Sequence, residues 1–333
     1  MNRRRFLVQP SIGVAMRLAP KGLCLLVSTF LLRDIVTGAA EVPQAMPREG
    51  FVQVEGGPVW YRIFGNGSAT PLLMVHGGPG GRSCTFEPVA EILSKERPVI
   101  LYDQLGTGRS GRPLDQGLWT VDRYVRELGQ VRAALSLTNV HLLGHSWGTG
   151  LIVSYLNAAG LAGVQSASFV GPFFSTKIWI EDANALLSEL PADVQATIKE
   201  HEQAGTTQSK AYLEATEVFN SRFFYHKAKH LLPGSCGESR RSEEIYQLMW
   251  GPTEFYATGT LRDFDVTSVL PRLKVPVLVV VGRFDEARPE TARRFHQAIP
   301  NARLEILEDC GHMTPLEDPE GLARVIRKFL GER

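Results

Sequence analysis

A serine hydroxyl becomes a nucleophile only when a base takes its proton and a carboxylate steers that base. One serine of this chain has the right setting: Gly144-His145-Ser146-Trp147-Gly148, a G-x-S-x-G pentapeptide. The apolar run 140–143 before it reads as a short buried strand, and residues 149–156 after it as an opening helix. Ser146 would then sit on a sharp strand-to-helix turn that larger residues at the glycine positions would block. In isolation the pentapeptide could equally be a small-residue turn. Two partners follow in the order Ser, Asp, His that this turn requires. Asp285 ends Gly282-Arg283-Phe284-Asp285 after the apolar run 277–281, and His312 ends Asp309-Cys310-Gly311-His312 after the run 304–307. Singly, Asp285 could cap a turn and His312 could be a surface imidazole. Together, each following a strand, they point to acyl transfer through Ser146, with His312 as base and Asp285 as its orienting carboxylate.

An acyl-transfer site also needs donors for the oxyanion. His76-Gly77-Gly78-Pro79-Gly80 comes directly after the buried run 72–75, where such a loop supplies one backbone amide, and the residue after the nucleophile supplies the other. The candidates are the N–H groups of Gly78 and Trp147. The spaced glycines of Asp103-Gln104-Leu105-Gly106-Thr107-Gly108-Arg109-Ser110 lack a third glycine and a lysine-hydroxyl end. They read as a structural loop beside the site rather than a phosphate cradle.

The elements that must position these groups are legible as pattern. Residues 50–54 and 59–64 alternate as two strands of a hairpin joined at 55–58. Runs 71–75, 98–103, 140–143, 165–170, 276–281 and 302–307 read as strands, most of them continuous apolar runs buried on both faces. Helices are expected at 86–96, 120–135 with Thr120 as N-cap, and 321–330. That rhythm predicts an α/β chain with a mostly parallel sheet and helices on both faces. It breaks at 173–261, which is polar and helical, with helices expected at 179–190, 191–203 and 211–224. The division is therefore a core at 46–172 and 262–333 with a helical cap inserted at 173–261.

Composition narrows the function classes. The chain has 333 residues, 36 basic and 35 acidic, for a net charge of +1, so no electrostatic excess suggests nucleic acid as a partner. Four cysteines are too few and scattered to suggest a disulfide framework or a zinc site, and the histidines form no metal motif. No cofactor or metal is implied, and no oligomer is specified. Residues 1–40 differ from the rest. Arg3-Arg4-Arg5-Phe6-Leu7 resembles a twin-arginine export signal, and an apolar stretch 22–32 follows it. That stretch is too short to span a bilayer comfortably, and Gly38 and Ala40 could mark cleavage, leaving no stable membrane span in the mature chain. This reading implies a periplasmic or secreted protein. The alternatives are a disordered extension, or translation from Met46 and a cytoplasmic protein.

From about residue 50 to the end, the chain resembles the prolyl aminopeptidases (proline iminopeptidases) of the α/β-hydrolase superfamily. The resemblance rests on Gly-Gly-Pro-Val-Trp-Tyr at 56–61, HGGPG at 76–80, DQ-x-G-x-GRS at 103–110, GHSWG at 144–148, GPTEF at 251–255, GRFDE at 282–286 and DCGH at 309–312. It implies an α/β-hydrolase fold and cofactor-free release of an N-terminal residue, proline preferred, from small peptides or amino-acid amides with a free amino terminus. It also implies that Glu254 and Glu286 hold that terminus, since two carboxylates distinguish an ammonium from an internal amide by charge. Trp250, Phe255, Tyr256, Phe173 and Phe174 are candidates to wall a small apolar pocket. The segment 223–237 departs from the family's basic and Trp-Pro pattern, which leaves the leaving-group side undefined. The same triad would also serve an amidase or esterase acting on small non-peptide substrates. The further alternative is a non-catalytic binding protein of the same fold.

Overall fold

The computed structural model describes residues 48–227 and 232–331. The leader anticipated at 1–40 lies outside them. The chain opens with a hairpin, β1 (Glu49–Val54) and β2 (Gly57–Phe64), followed by β3 (Leu72–Val75), α1 (Glu87–Leu93), β4 (Val99–Tyr102) and α2 (Val121–Ala134). Next come β5 (Val140–His145), α3 (Trp147–Ala159) and β6 (Val164–Val170). Helices α4 (Thr176–Leu187), α5 (Ala192–Ala204), α6 (Lys210–Phe219) and α7 (Glu243–Met249) separate β6 from β7 (Val277–Gly282). The chain closes with α8 (Pro289–Ala298), β8 (Ala302–Leu307), α9 (Thr314–Glu317) and α10 (Pro319–Gly331). One eight-stranded sheet results, in the order β1-β2-β4-β3-β5-β6-β7-β8. β1, β2 and β4 pair antiparallel along one edge, and every pair from β4 through β3 to β8 is parallel.

The period-2 geometry of a strand sends alternate residues to opposite faces, and this sheet needs both faces covered. Leu73, Val75, Ile100, Leu142, Val277 and Val279 belong to the core beneath α2, α3 and α8. Leu72, Met74, Val99, Leu101, Leu143, Leu278 and Val280 face α1 and α10 instead. That double burial is why β3, β4, β5 and β7 appear in the sequence as unbroken apolar runs. α2 starts where Thr120 accepts from the Arg123 amide at 3.3 Å, the expected N-cap. Among the described residues no helix is long and apolar enough to cross a membrane.

The helices between β6 and β7 have a core of their own, in which Leu186, Leu190, Ile198, Tyr212, Phe219, Phe223 and Phe255 pack together. The helix expected over 211–224 stops at Phe219, and residues Asn220–Phe224 widen into a π turn. The reason is local. The Phe223 and Phe224 carbonyls accept from the His312 and Met313 amides at 2.9 and 3.0 Å, so they serve the His312 loop instead of continuing the helix. α7 was not anticipated. The cysteines also differ from expectation: Cys84 and Cys236 form a disulfide across 152 positions, joining the segment before α1 to the chain before α7. Spacing could not indicate that pair, because the intervening fold alone brings the two together. Cys310 is free and buried.

Candidate active site

The parallel strands deliver their C-terminal ends to one edge of the sheet, where loops collect. β5 ends in His145, and Ser146 follows at φ 54° and ψ −126°, a left-handed turn for a non-glycine residue. Such strain persists where surrounding structure over-determines it. Gly144 and Gly148 do so by close approach. A Cβ on Gly144 would come within 2.6 Å of the Gly148 carbonyl oxygen, and one on Gly148 within 2.2 Å of the Val75 carbonyl oxygen. α3 begins immediately after, with Trp147 buried and its indole N–H donating to Gln104 Oε1 at 3.0 Å. Gln104 in turn donates to the His76 carbonyl at 2.9 Å, so the β4 loop braces the HGGPG loop.

His312 and Asp285 meet directly. Asp285 Oδ1 lies 2.7 Å from His312 Nδ1 and also accepts from the Ala287 amide at 2.8 Å. Both side chains are almost wholly buried. Ser146 and His312 line one cavity with Gly77, Gly78, His145 and Glu254, a space of about 670 Å³ including its open mouth. Among the described residues no hydrogen bond joins the Ser146 hydroxyl to His312, whose Nε2 instead lies 3.8 Å from Glu286 Oε1. Hydrogen bonds between nucleophile and base are often long until substrate is in place. Gly78 has φ +123°, and a Cβ there would fall 2.5 Å from the Gly81 nitrogen, so only glycine presents its backbone this way. The Gly78 and Trp147 amides make none of the loop or cap hydrogen bonds among the described residues.

Of the two glutamates, Glu254 lines both this cavity and a recess beside it, whereas Glu286 lines neither and reaches the site through His312. Glu254 accepts from the Tyr246 hydroxyl at 2.7 Å. Glu286 is 1% exposed, and neither of its carboxyl oxygens has a hydrogen-bond partner. A second, smaller recess opens off the same point, lined by Gly78, Pro79, Ser146, Phe173, Trp179, Trp250 and Glu254. Phe173 and Trp250 therefore wall it as expected. Phe174 packs behind against Phe169 and Phe295, and Phe255 belongs to the inserted helices' core with Phe219 and Tyr212. Tyr256 packs against that same core.

The sequence reading missed Trp179, whose indole N–H donates to the Glu254 carbonyl at 2.9 Å and whose ring meets His312 edge-on at 5.4 Å. It also missed Tyr246, carried by the unanticipated α7. Ser242 caps that helix and is followed by Glu243 and Glu244, a helix-start signature readable in the sequence.

Burial sets the electrostatics. It raises the Glu286 carboxyl well above the ordinary range, and the nearby Glu254 and Asp285 charges raise it further. Burial also raises Glu254, opposed by the Tyr246 hydrogen bond and by His312. For His312, burial works against the cation, but the Asp285 charge, its hydrogen bond and Glu254 outweigh it and the imidazole is raised. His145, its ring tilted 36° beside it at 4.7 Å and penalised by burial and by the His312 charge, drops to about 3.

Comparison with known proteins places this geometry. The family model described as the alpha/beta hydrolase fold matches residues 70–319. A proline iminopeptidase of Heyndrickxia coagulans is 44% identical over 289 residues, 86% of this chain and 99% of that protein. The chain belongs to the proline iminopeptidase family. Among solved structures similar to this proline iminopeptidase family member, that of the Mycobacterium smegmatis proline iminopeptidase superposes with a TM-score of 0.77 at 32% identity. It covers 85% of this chain and 98% of its own. VinJ superposes with a TM-score of 0.78 at 31% identity, with the same coverage.

Proposed function

We propose that the protein is a serine aminopeptidase that releases an N-terminal residue, proline preferred, from small peptides or amino-acid amides through an acyl-enzyme. The observation that carries this reading is the recess beside Ser146, small, walled by Phe173, Trp179 and Trp250, and bordered by Glu254. Its aromatic walls suit a small apolar ring, and a carboxylate at its border suits a primary or secondary ammonium end. The name of the Heyndrickxia coagulans relative supports the same substrate.

In this mechanism His312, held by Asp285, accepts the Ser146 proton as the serine oxygen attacks the first carbonyl. The Gly78 and Trp147 amides receive the oxyanion, a contribution of about 10²–10³ in rate for one donor. His312 then protonates the leaving amine, and water releases the acyl group by the same route. Glu254 and Glu286 seat the free amine and so fix the scissile bond one residue from the end. Glu286, the more strongly raised of the two, gains from an arriving cation the counter-charge that favours its ionised form. Blocked amines leave the carboxylates buried and unpaired and are rejected.

The test is a panel of prolyl-, alanyl- and N-acetylprolyl-arylamides with wild type and Ser146→Ala, together with fluorophosphonate labelling. Hydrolysis of the unblocked substrates, lost with the labelling in Ser146→Ala, is expected. Equal turnover of acetylprolyl-arylamide would favour an amidase or esterase, and no labelling at all a binding protein. We further propose export to the periplasm or medium. The Cys84–Cys236 disulfide supports it, because such bonds persist in oxidising compartments. The mass of the mature N-terminus tests it.

A further inference from the structure

The larger chamber of the cavity has a charge pattern that the aminopeptidase chemistry leaves unexplained. Beyond Ser146 and away from the aromatic recess, it is lined by Arg82, Thr85, Phe224, Tyr225, Leu232, Arg241 and Met313. Arg82 and Arg241 come close enough to depress the Arg82 guanidinium, burial first and the Arg241 charge second. Two like charges held together at a cavity wall repel unless an anion sits between them. Among the described residues Arg82 makes no ion pair; Asp103 favours its charge from a distance, but the Asp103 oxygens accept from the Ser83 and Arg109 amides. Arg82 Nη1 instead donates to the Cys236 and Ser239 carbonyls at 3.1 and 2.6 Å, which hold the head group in place but supply no charge. Among the described residues Arg241 pairs with Glu243 alone, at 3.4 Å and with both side chains more than half exposed, a contact that water largely screens. Its guanidinium also lies 5.3 Å from the Tyr246 ring centroid, on the residue that holds Glu254.

We propose that Arg82 and Arg241 form a carboxylate-binding subsite for the leaving side of the substrate, so that dipeptides with both termini free are preferred. This rests on the aminopeptidase reading of the same site. Two extended residues span about 7 Å, and Glu254, Ser146, Arg82 and Arg241 line the same cavity. A zwitterion of that length places its amine at the Glu254 end and its carboxylate at the guanidinium pair, with the peptide bond between them at Ser146. Guanidinium recognition of a carboxylate is planar and forked, which adds orientation to attraction. A longer peptide puts an uncharged amide where the pair expects an anion.

The experiment compares kcat/KM for prolyl-glycine, prolyl-glycinamide and a prolyl-arylamide in wild type, Arg241→Gln and Arg82→Gln. The readout is the ratio of dipeptide to its amide, since any effect of Arg241 on Glu254 is common to both. Wild type should favour prolyl-glycine by roughly 10–100-fold, the value of a charge-assisted pair, and each variant should bring the ratio close to one. Arg82 also braces two carbonyls. Should Arg82→Gln fail to fold, Arg241→Gln decides, with Arg82→Lys retaining charge but not the fork. Equal wild-type rates on dipeptide and amide, or variants that leave the ratio unchanged, overturn the subsite while prolyl-arylamide turnover keeps the aminopeptidase standing. Loss of all three activities in wild type overturns the aminopeptidase reading itself.

Discussion

At the scale of single residues, Glu254 and Glu286 carry the same charge but occupy different surroundings, and their variants should differ accordingly. Glu254 is one of the groups that raise His312. Its replacement by glutamine should therefore lower the His312 pKa, and the acid limb of kcat/KM, which requires neutral imidazole, should move to lower pH. p-Nitrophenyl acetate reads this cleanly because it has no amine to seat; an unmoved or upward-shifted limb would refute the coupling. The same variant should cut kcat/KM on prolyl-arylamide by about 10–100-fold through the lost amine contact. Glu286 has no hydrogen-bond partner to lose. Its native pKa is raised above the ordinary 4.5, so its protonated state favours the fold below that pH, and the advantage fades as pH rises through the native value. Glu286→Gln removes that penalty. The variant should melt higher than wild type at pH 8, by roughly 2–4 °C per kcal/mol recovered, with the gap narrowing near pH 4, while hydrolysis of unblocked substrates falls. A lower melting temperature at pH 8 would show the carboxylate to be structurally paired.

At the scale of elements, what the sequence disclosed follows from how each piece is buried. β3, β4, β5 and β7 are covered on both faces, so they appear as apolar runs, and the loops after them follow by position. That is why Ser146 and Asp285 could be placed without coordinates, whereas His312 follows the half-covered edge strand β8 and was placed by its order after them. α10 was legible for the helical version of the same reason: Leu322, Ala323, Ile326, Phe329 and Leu330 make one buried stripe. Ile326 is fully buried in it, and Ile326→Ala should cost about 2–5 kcal/mol in urea unfolding with kcat unchanged in the folded fraction. A loss under 1 kcal/mol would mean the stripe is not core. α7 escaped because only Ile245, Tyr246 and Met249 of its residues are buried, too few to set a period. α8 escaped similarly, as Pro289 at its start reads first as a breaker. Trp179, Arg82 and Arg241 were invisible as site residues because nothing local marks them. Their role depends on which turn of the inserted helices, or which loop, ends up above the sheet edge.

At the scale of the whole molecule, the inserted helices and the sheet are joined by packing, by the backbone bonds from the His312 loop to the π turn, and by the Cys84–Cys236 disulfide. A cross-link spanning 152 positions restricts the unfolded chain strongly and should be worth about 2–5 kcal/mol. Heating in dithiothreitol, with thiol titration to verify reduction, should lower the melting midpoint by roughly 4 °C or more, and Cys236→Ser should do the same without reductant. An unchanged midpoint in the fully reduced protein would leave that bond without weight in stability.

The bridge has a consequence beyond holding the fold together. Cys84 is two residues from Arg82, and Cys236 five before Arg241, so one covalent stitch fastens both margins of the guanidinium pair. Where thiols are kept reduced that seam opens and the two cations are free to drift apart. Discrimination between a zwitterionic dipeptide and its amide then becomes a property acquired only in oxidising surroundings, even though the hydrolytic groups deeper in the cleft do not depend on it.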